Sequence, residues 1–140
     1  MLKVWGRKTS SNVRKVLWCL AELDLEFDRV DIGGGLGGND DSKYRAMNPN
    51  GLVPTLEDGD TVIWESNTIV RYLSSIYGKG SLWPEDPAKR AMADMWMDWQ
   101  IFSLVPNVGF LFREETRKKE ADRDQNGIAA AKVAAIVYMK

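Results

Sequence analysis

The chain has 140 residues, 44% hydrophobic and 28% charged, which is typical of a globular protein rather than a disordered one. Its 19 basic and 20 acidic side chains give a net charge of −1, and no clustered basic excess indicates a nucleic-acid partner. No apolar run approaches the roughly 20 residues of a membrane span. The absence of histidine excludes the usual general base, the Ser-His triad and most zinc sites.

The first part of the chain predicts a strand, a helix and a second strand. Residues 2–6 read as a short apolar strand, and residues 11–24 space apolar side chains along one helical face. Ser11 or Asn12 is the expected N-cap of this helix. Residues 25–32 alternate apolar and acidic positions, so the segment indicates a βαβ unit with a right-handed crossover.

Two interpretations are open for the glycine-rich segment 33–41. It is either a flexible loop or a cradle for a phosphate group. The spacing of a phosphate-binding loop is missing, and we expect no strand-to-helix junction after it, so the loop interpretation is favoured.

A hairpin and a third helix are predicted next. Residues 53–57 and 61–64 flank the turn signal Asp58-Gly59-Asp60. A helix then runs from about residue 65 to residue 77 and ends at Gly78. Its predicted buried face consists of Ile69, Val70, Leu73 and Ile76.

These elements predict two domains. Residues 1–78 form an α/β domain with a mixed four-stranded sheet, residues 79–86 form a linker, and residues 87–140 are entirely helical. One long helix is expected over residues 87–120, with a bend near Pro106.

Four segments taken together carry a family resemblance: residues 6–15, 48–56, 65–73 and 96–100. In this order they resemble a soluble bacterial glutathione S-transferase, similar to the theta, beta and nu classes that use serine or asparagine. The resemblance implies a thioredoxin-like N-terminal domain of βαβ–ββα order, followed by an all-α C-terminal domain. Since relatives continue through several further helices, this domain is expected to be partial, or truncated, here.

The resemblance gives the catalytic role to a hydroxyl at the first helix. A thiol with a pKa near 8.5 is only a few per cent ionised at pH 7, and a donated hydrogen bond favours its anion. Ser10 is implied as the donor to the glutathione sulfur, and Asn12 is the second candidate. Thr9 and Ser11 are close enough that the assignment could shift by one residue. The alternative is that these side chains only cap the helix.

The remaining glutathione contacts are implied at two further places. Val53-Pro54 resembles the step in which the proline is cis and the Val53 backbone meets the ligand backbone. Asn50 is a weaker candidate. At the start of the third helix, Ser66 and its amide would bind the γ-glutamyl carboxylate, while Glu65 would attract the ammonium group.

The position after Ser66 departs from the family pattern. Asn67 stands where some relatives carry arginine, and Gly51 stands where some carry histidine. The site therefore has fewer expected cations. Cys19, the single cysteine, is interpreted as a packing residue, and its solitary state favours a reducing, cytoplasmic location.

The hypothesis that follows is a transferase that conjugates glutathione to small hydrophobic electrophiles. Glutathione serves as co-substrate, no cofactor or metal is expected, and the partners would be the electrophile and a second copy in a homodimer. Neither nucleic acid nor a membrane is an expected partner. Two alternatives are a glutathione-dependent disulfide reductase and a glutathione-binding module without turnover.

Overall fold

A computed structural model describes residues 1–138 of the chain. The chain divides into two compact units, Met1–Glu85 and a second that begins at Asp86. Within the described residues, no helix is both long and apolar enough to cross a membrane.

The first unit contains one four-stranded sheet. Its strands are β1 (Leu2–Trp5), β2 (Phe27–Val30), β3 (Thr55–Asp58) and β4 (Thr61–Trp64), and their spatial order is β2-β1-β3-β4. The β1–β2 pair is parallel, whereas β1–β3 and β3–β4 are antiparallel. The mixed sheet and the hairpin predicted from the sequence are both confirmed.

Three helices accompany the sheet: α1 (Ser11–Glu22), α2 (Ser42–Met47) and α3 (Ser66–Tyr77). The N-cap of α1 is Ser10, so the predicted cap at Ser11 or Asn12 was wrong by one or two residues. Helix α2 follows the glycine-rich loop, where no helical junction was expected.

The core of this unit joins α1, α3 and the two central strands. Seven of its side chains are fully buried: Val4, Val13, Val16, Leu20, Leu56, Ile69 and Leu73. Cys19 lies in the same cluster, 3.9 Å from the Ser74 hydroxyl, and burial raises the pKa of its thiol. The packing interpretation of Cys19 is therefore confirmed. Ile76 is 53% exposed, so its predicted burial was wrong.

The second unit is helical throughout. It contains α4 (Pro87–Trp99), a π-helical turn (Gln100–Leu104), α5 (Val105–Arg117), a short 3-10 turn (Glu120–Asp122) and α6 (Gln125–Tyr138). The predicted single helix is thus two helices separated by the π-helical turn. Pro106 lacks the N–H that would close the helical bond to residue 102, and the change in winding comes directly before it.

Candidate functional site

The N-terminus of α1 leaves a hydroxyl uncommitted. Ser10 occupies the N-cap with extended backbone angles, and its side chain makes no capping hydrogen bond. Its carbonyl accepts from the Arg14 amide at 2.9 Å, and its own amide donates to the Arg7 carbonyl at 3.1 Å. The backbone of Ser10 therefore forms the first hydrogen bond of the helix, whereas its side-chain hydroxyl makes no capping bond.

The side chains around Ser10 differ from it in exposure. Ser10 is half-buried, whereas Thr9, Ser11 and Asn12 are all exposed. The four candidates for contact with a sulfur atom thus lie consecutively where β1 leads into α1, with Ser10 the most enclosed of them.

A close approach at Gly6 connects this loop to Val53. A Cβ atom built on Gly6 would lie 2.5 Å from Cγ2 of Val13 and 3.1 Å from Cβ of Val53, and the Gly6 φ of +147° already favours glycine. Gly6, which directly follows β1, therefore lies so close to α1 and to Val53 that its position has room for a hydrogen atom but not for a side chain.

The Val53-Pro54 peptide bond is cis, as the family resemblance implied. The loop before it is held by Tyr44, whose hydroxyl donates to the Leu52 carbonyl at 2.6 Å and lies 2.8 Å from the Thr55 hydroxyl. Burial raises the pKa of the Tyr44 phenol, and the hydrogen bonds with Thr55 and Asn48 lower it.

Buried Asn48 supports the same loop. Its amide group donates to the Leu52 carbonyl at 2.8 Å, and its side-chain oxygen accepts from the Asn50 backbone amide at 3.1 Å. Asn50 itself is exposed in this turn. Sequence reasoning did not assign Tyr44 or Asn48 a role, although a buried tyrosine and an asparagine beside a proline are common ways to fix a loop.

The N-terminus of α3 repeats the pattern seen at α1. Glu65 occupies the N-cap, is exposed, and makes no side-chain capping bond. Its φ of +71° is uncommon for a residue other than glycine, and such outliers concentrate at functional sites. Ser66 begins the helix and is only 5% exposed.

Lys15 joins α1 to α3 at this point. Its ammonium nitrogen donates to the side-chain oxygen of Asn67 at 2.9 Å. Burial lowers the pKa of Lys15, while the negative charge of Glu65 raises it. Sequence reasoning missed Lys15, because the two bonded residues are 52 positions apart and no local pattern connects them.

A family model for the N-terminal domain of glutathione S-transferases matches residues 5–81, more than half of the chain. The chain belongs to the glutathione S-transferase family. The thioredoxin-like N-terminal domain and the helical region after it are therefore confirmed as the fold class.

Curated relatives agree with this assignment. The chain is 44% identical over 133 residues to the glutathione S-transferase GstB of Escherichia coli K12, an alignment that covers 94% of this chain and 64% of the relative. It is 34% identical over 112 residues to the glutathione S-transferase APIC of Nicotiana tabacum, an alignment that covers 79% of this chain and 53% of the relative. The chain thus spans less than two thirds of the length of both relatives.

Solved structures resemble this chain closely. A theta class glutathione S-transferase from Xanthomonas axonopodis pv. citri, crystallised with glutathione bound, has a TM-score of 0.90 and 48% identity, over 96% of this chain and 64% of that one. Glutathione transferase F2 from Populus trichocarpa has a TM-score of 0.90 and 26% identity, over 99% of this chain and 67% of that one.

Proposed function

We propose that the first unit binds reduced glutathione between the start of α1, the Val53-Pro54 step and the start of α3. One observation carries the proposal: the two N-cap side chains, Ser10 and Glu65, make no capping bond to the helices they begin. A hydroxyl and a carboxylate at helix N-termini that do not satisfy the local backbone are available to a ligand.

Each end of the ligand has a proposed partner. The cysteinyl sulfur lies at Ser10, with Asn12 as the second donor, and the cysteinyl backbone pairs with Val53 beside Pro54. The γ-glutamyl carboxylate binds at Ser66 and the positive end of α3, while Glu65 attracts the ammonium group. Asn50 stays the weakest assignment, because it is exposed and its observed hydrogen bond uses only its backbone.

The proposed reaction is conjugation of glutathione to small hydrophobic electrophiles. The Ser10 hydroxyl donates a hydrogen bond to the sulfur, so the thiol releases its proton to solvent more readily. The thiolate then forms a carbon–sulfur bond as the leaving group departs with the bonding electron pair. Each pKa unit of lowering corresponds to about 1.4 kcal/mol of preference for the anion. Relatives named as glutathione S-transferases support this reaction.

We also propose a homodimer and a cytoplasmic location. Large apolar side chains on the first unit remain exposed and could contribute to a subunit interface, among them Leu52, Ile76 and Tyr77. The location is supported by the solitary, buried Cys19, which fits a reducing compartment. Light scattering after size exclusion tests the dimer.

The decisive experiment measures the ionisation of bound glutathione. In wild type and in Ser10→Ala, calorimetry gives the glutathione dissociation constant, and ultraviolet absorbance titrated against pH gives the thiol pKa. Since a hydrogen bond to a charged group contributes about 1.5–3 kcal/mol, we expect the pKa in Ser10→Ala to rise by about 1–2 units. The rate of conjugation at neutral pH should fall by about tenfold or more.

Matched variants Thr9→Ala, Ser11→Ala and Asn12→Ala separate the neighbouring candidates. Only Asn12→Ala is expected to raise the thiol pKa, and by less than Ser10→Ala. An unchanged pKa in Ser10→Ala would remove Ser10 from the mechanism. Micromolar binding without turnover of any electrophile would restrict the function to binding.

A further inference from the structure

The charge of the α3 N-terminus depends on a residue from another helix. Glu65 places a carboxylate at the N-cap, and the next two residues, Ser66 and Asn67, are neutral. Lys15 of α1 brings a cation to this point, where it is hydrogen-bonded to Asn67 at 2.9 Å.

Lys15 holds this position at an energetic cost. Its side chain is partly withdrawn from water, and this burial is the largest influence on its pKa, which is lowered. The opposing influence is the charge of Glu65. A partly buried ammonium group is retained where partners compensate for lost hydration, and here these include the Glu65 charge and the side-chain oxygen of Asn67.

The pair of charges matches one ligand chemistry. Glu65 and Lys15 together carry no net charge, and an α-amino-acid head group is likewise a zwitterion. If Lys15 were neutral, no charge from this residue would offset Glu65, whose field attracts an ammonium group and repels a carboxylate that approaches Ser66.

We propose that Lys15 is a positioning residue for the amino-acid end of glutathione. It supplies the positive charge that Asn67 lacks, holds Asn67 through their hydrogen bond, and offsets Glu65 so that a carboxylate can bind at Ser66. The inference rests on the proposed function, because it assigns a role within the same glutathione site.

The test is a thermodynamic cycle with two ligands. One ligand is glutathione, and the other is its analogue with 4-aminobutyryl in place of γ-glutamyl, which keeps the ammonium group and lacks the α-carboxylate. Calorimetry measures both dissociation constants in wild type, Lys15→Met and Lys15→Gln. The Gln variant removes the charge and keeps an N–H donor on a side chain that is one atom shorter.

We expect both variants to weaken glutathione binding about tenfold, equivalent to about 1.4 kcal/mol, and to change binding of the analogue less than twofold. Lys15→Arg should retain the preference for the carboxylate, because it restores the charge. As a matched control, Lys43→Met removes an exposed lysine of the same unit that lies over Trp5, and both affinities should equal those of wild type.

The outcomes separate the two proposals. If wild type binds glutathione but the Lys15 variants weaken both ligands equally, Lys15 has only a structural role and the inference is wrong. The same holds if neither affinity changes. If wild type binds neither ligand, the proposed function fails, and the inference fails with it.

Discussion

The two units of the chain differ in how completely they bury their apolar side chains. In the first unit, seven large apolar side chains from sheet and helices are fully buried. Among the described residues of the second unit, the buried apolar side chains are Ile128, Ala131 and Ala135, and Phe102 is 77% exposed. Two of those three are alanines, which bury little area.

This difference matters for function because burial fixes geometry. Apolar burial contributes roughly 25 cal/mol per Å², so a dense core holds α1 and α3 against the sheet in one arrangement. The N-cap residues Ser10 and Glu65 are at the starts of those two helices. The candidate site therefore lies on the unit whose own core determines where the site residues are.

The largest expected contrast comes from the same substitution made in each unit. Ile69 of α3 is fully buried, whereas Ile136 of α6 is 53% exposed. We expect Ile69→Ala to lower the free energy of unfolding by about 2–5 kcal/mol and Ile136→Ala by less than about 1 kcal/mol. Urea unfolding followed by circular dichroism measures both. Equal losses would mean that the exposed face of α6 is covered in solution, and the comparison between units would no longer hold.

Alanine substitutions at two glycines, one in each unit, are expected to change stability in opposite directions. At Gly6 an added methyl group would clash with Val13 and approach Val53, so Gly6→Ala should destabilise the chain by about 3 kcal/mol and weaken glutathione binding. In α5, a Cβ on Gly109 would lie 3.6 Å from Val105, an ordinary contact. Gly109→Ala should therefore raise stability by up to about 1 kcal/mol.

Thermal unfolding with and without glutathione distinguishes these effects. A Gly6→Ala variant with wild-type stability and affinity would show that the approach of β1 to Val53 is not needed for the site. A destabilising Gly109→Ala would show that α5 has less space than its contacts indicate.

The smallest expected effect is a loss of stability of the second unit at low pH. Buried Glu114 accepts a hydrogen bond from Lys118 at 2.7 Å and another from the Asp124 amide at 2.9 Å, and these bonds lower its pKa. A carboxylate with a lowered folded-state pKa stabilises above the unfolded value of about 4.3, and this contribution is lost as pH falls through the folded pKa.

We therefore expect the second unit to lose stability as pH falls below about 5, and Glu114→Gln to remove part of that loss. Measuring the free energy of unfolding at pH 7 and at acidic pH gives the size of this loss. Lys118→Met, which removes the bonding partner, should flatten the profile in the same way. A profile that neither variant alters would place the acid sensitivity elsewhere.

Much of the fold could be predicted because its signals are local. The spacing of Val13, Val16 and Leu20 indicates a helix, and the Asp58-Gly59-Asp60 turn indicates a hairpin. Both follow from residues a few positions apart, since helix periodicity and turn chemistry act over that range. The cis form of Pro54 was implied by the family resemblance instead.

Other features depended on packing between distant segments. The periodicity that correctly placed Ile69 at the core also predicted burial of Ile76, which is exposed because the core does not extend to the end of α3. The choice of Ser10 over Ser11 as the N-cap depends on backbone angles at the end of the β1 loop, which composition does not encode.

The amino-acid sequence by itself predicted the four strands and the helices α1 and α3 of the first unit, because these depend on short-range propensity, whereas the proposed glutathione-binding segments were implied by a family resemblance. Only the tertiary structure decided that the side chains of Ser10 and Glu65 leave their helices uncapped, and that Lys15 bonds to Asn67. The Lys15–Asn67 bond requires α1 to pack on α3, and such packing depends on the whole core rather than on neighbours in the chain.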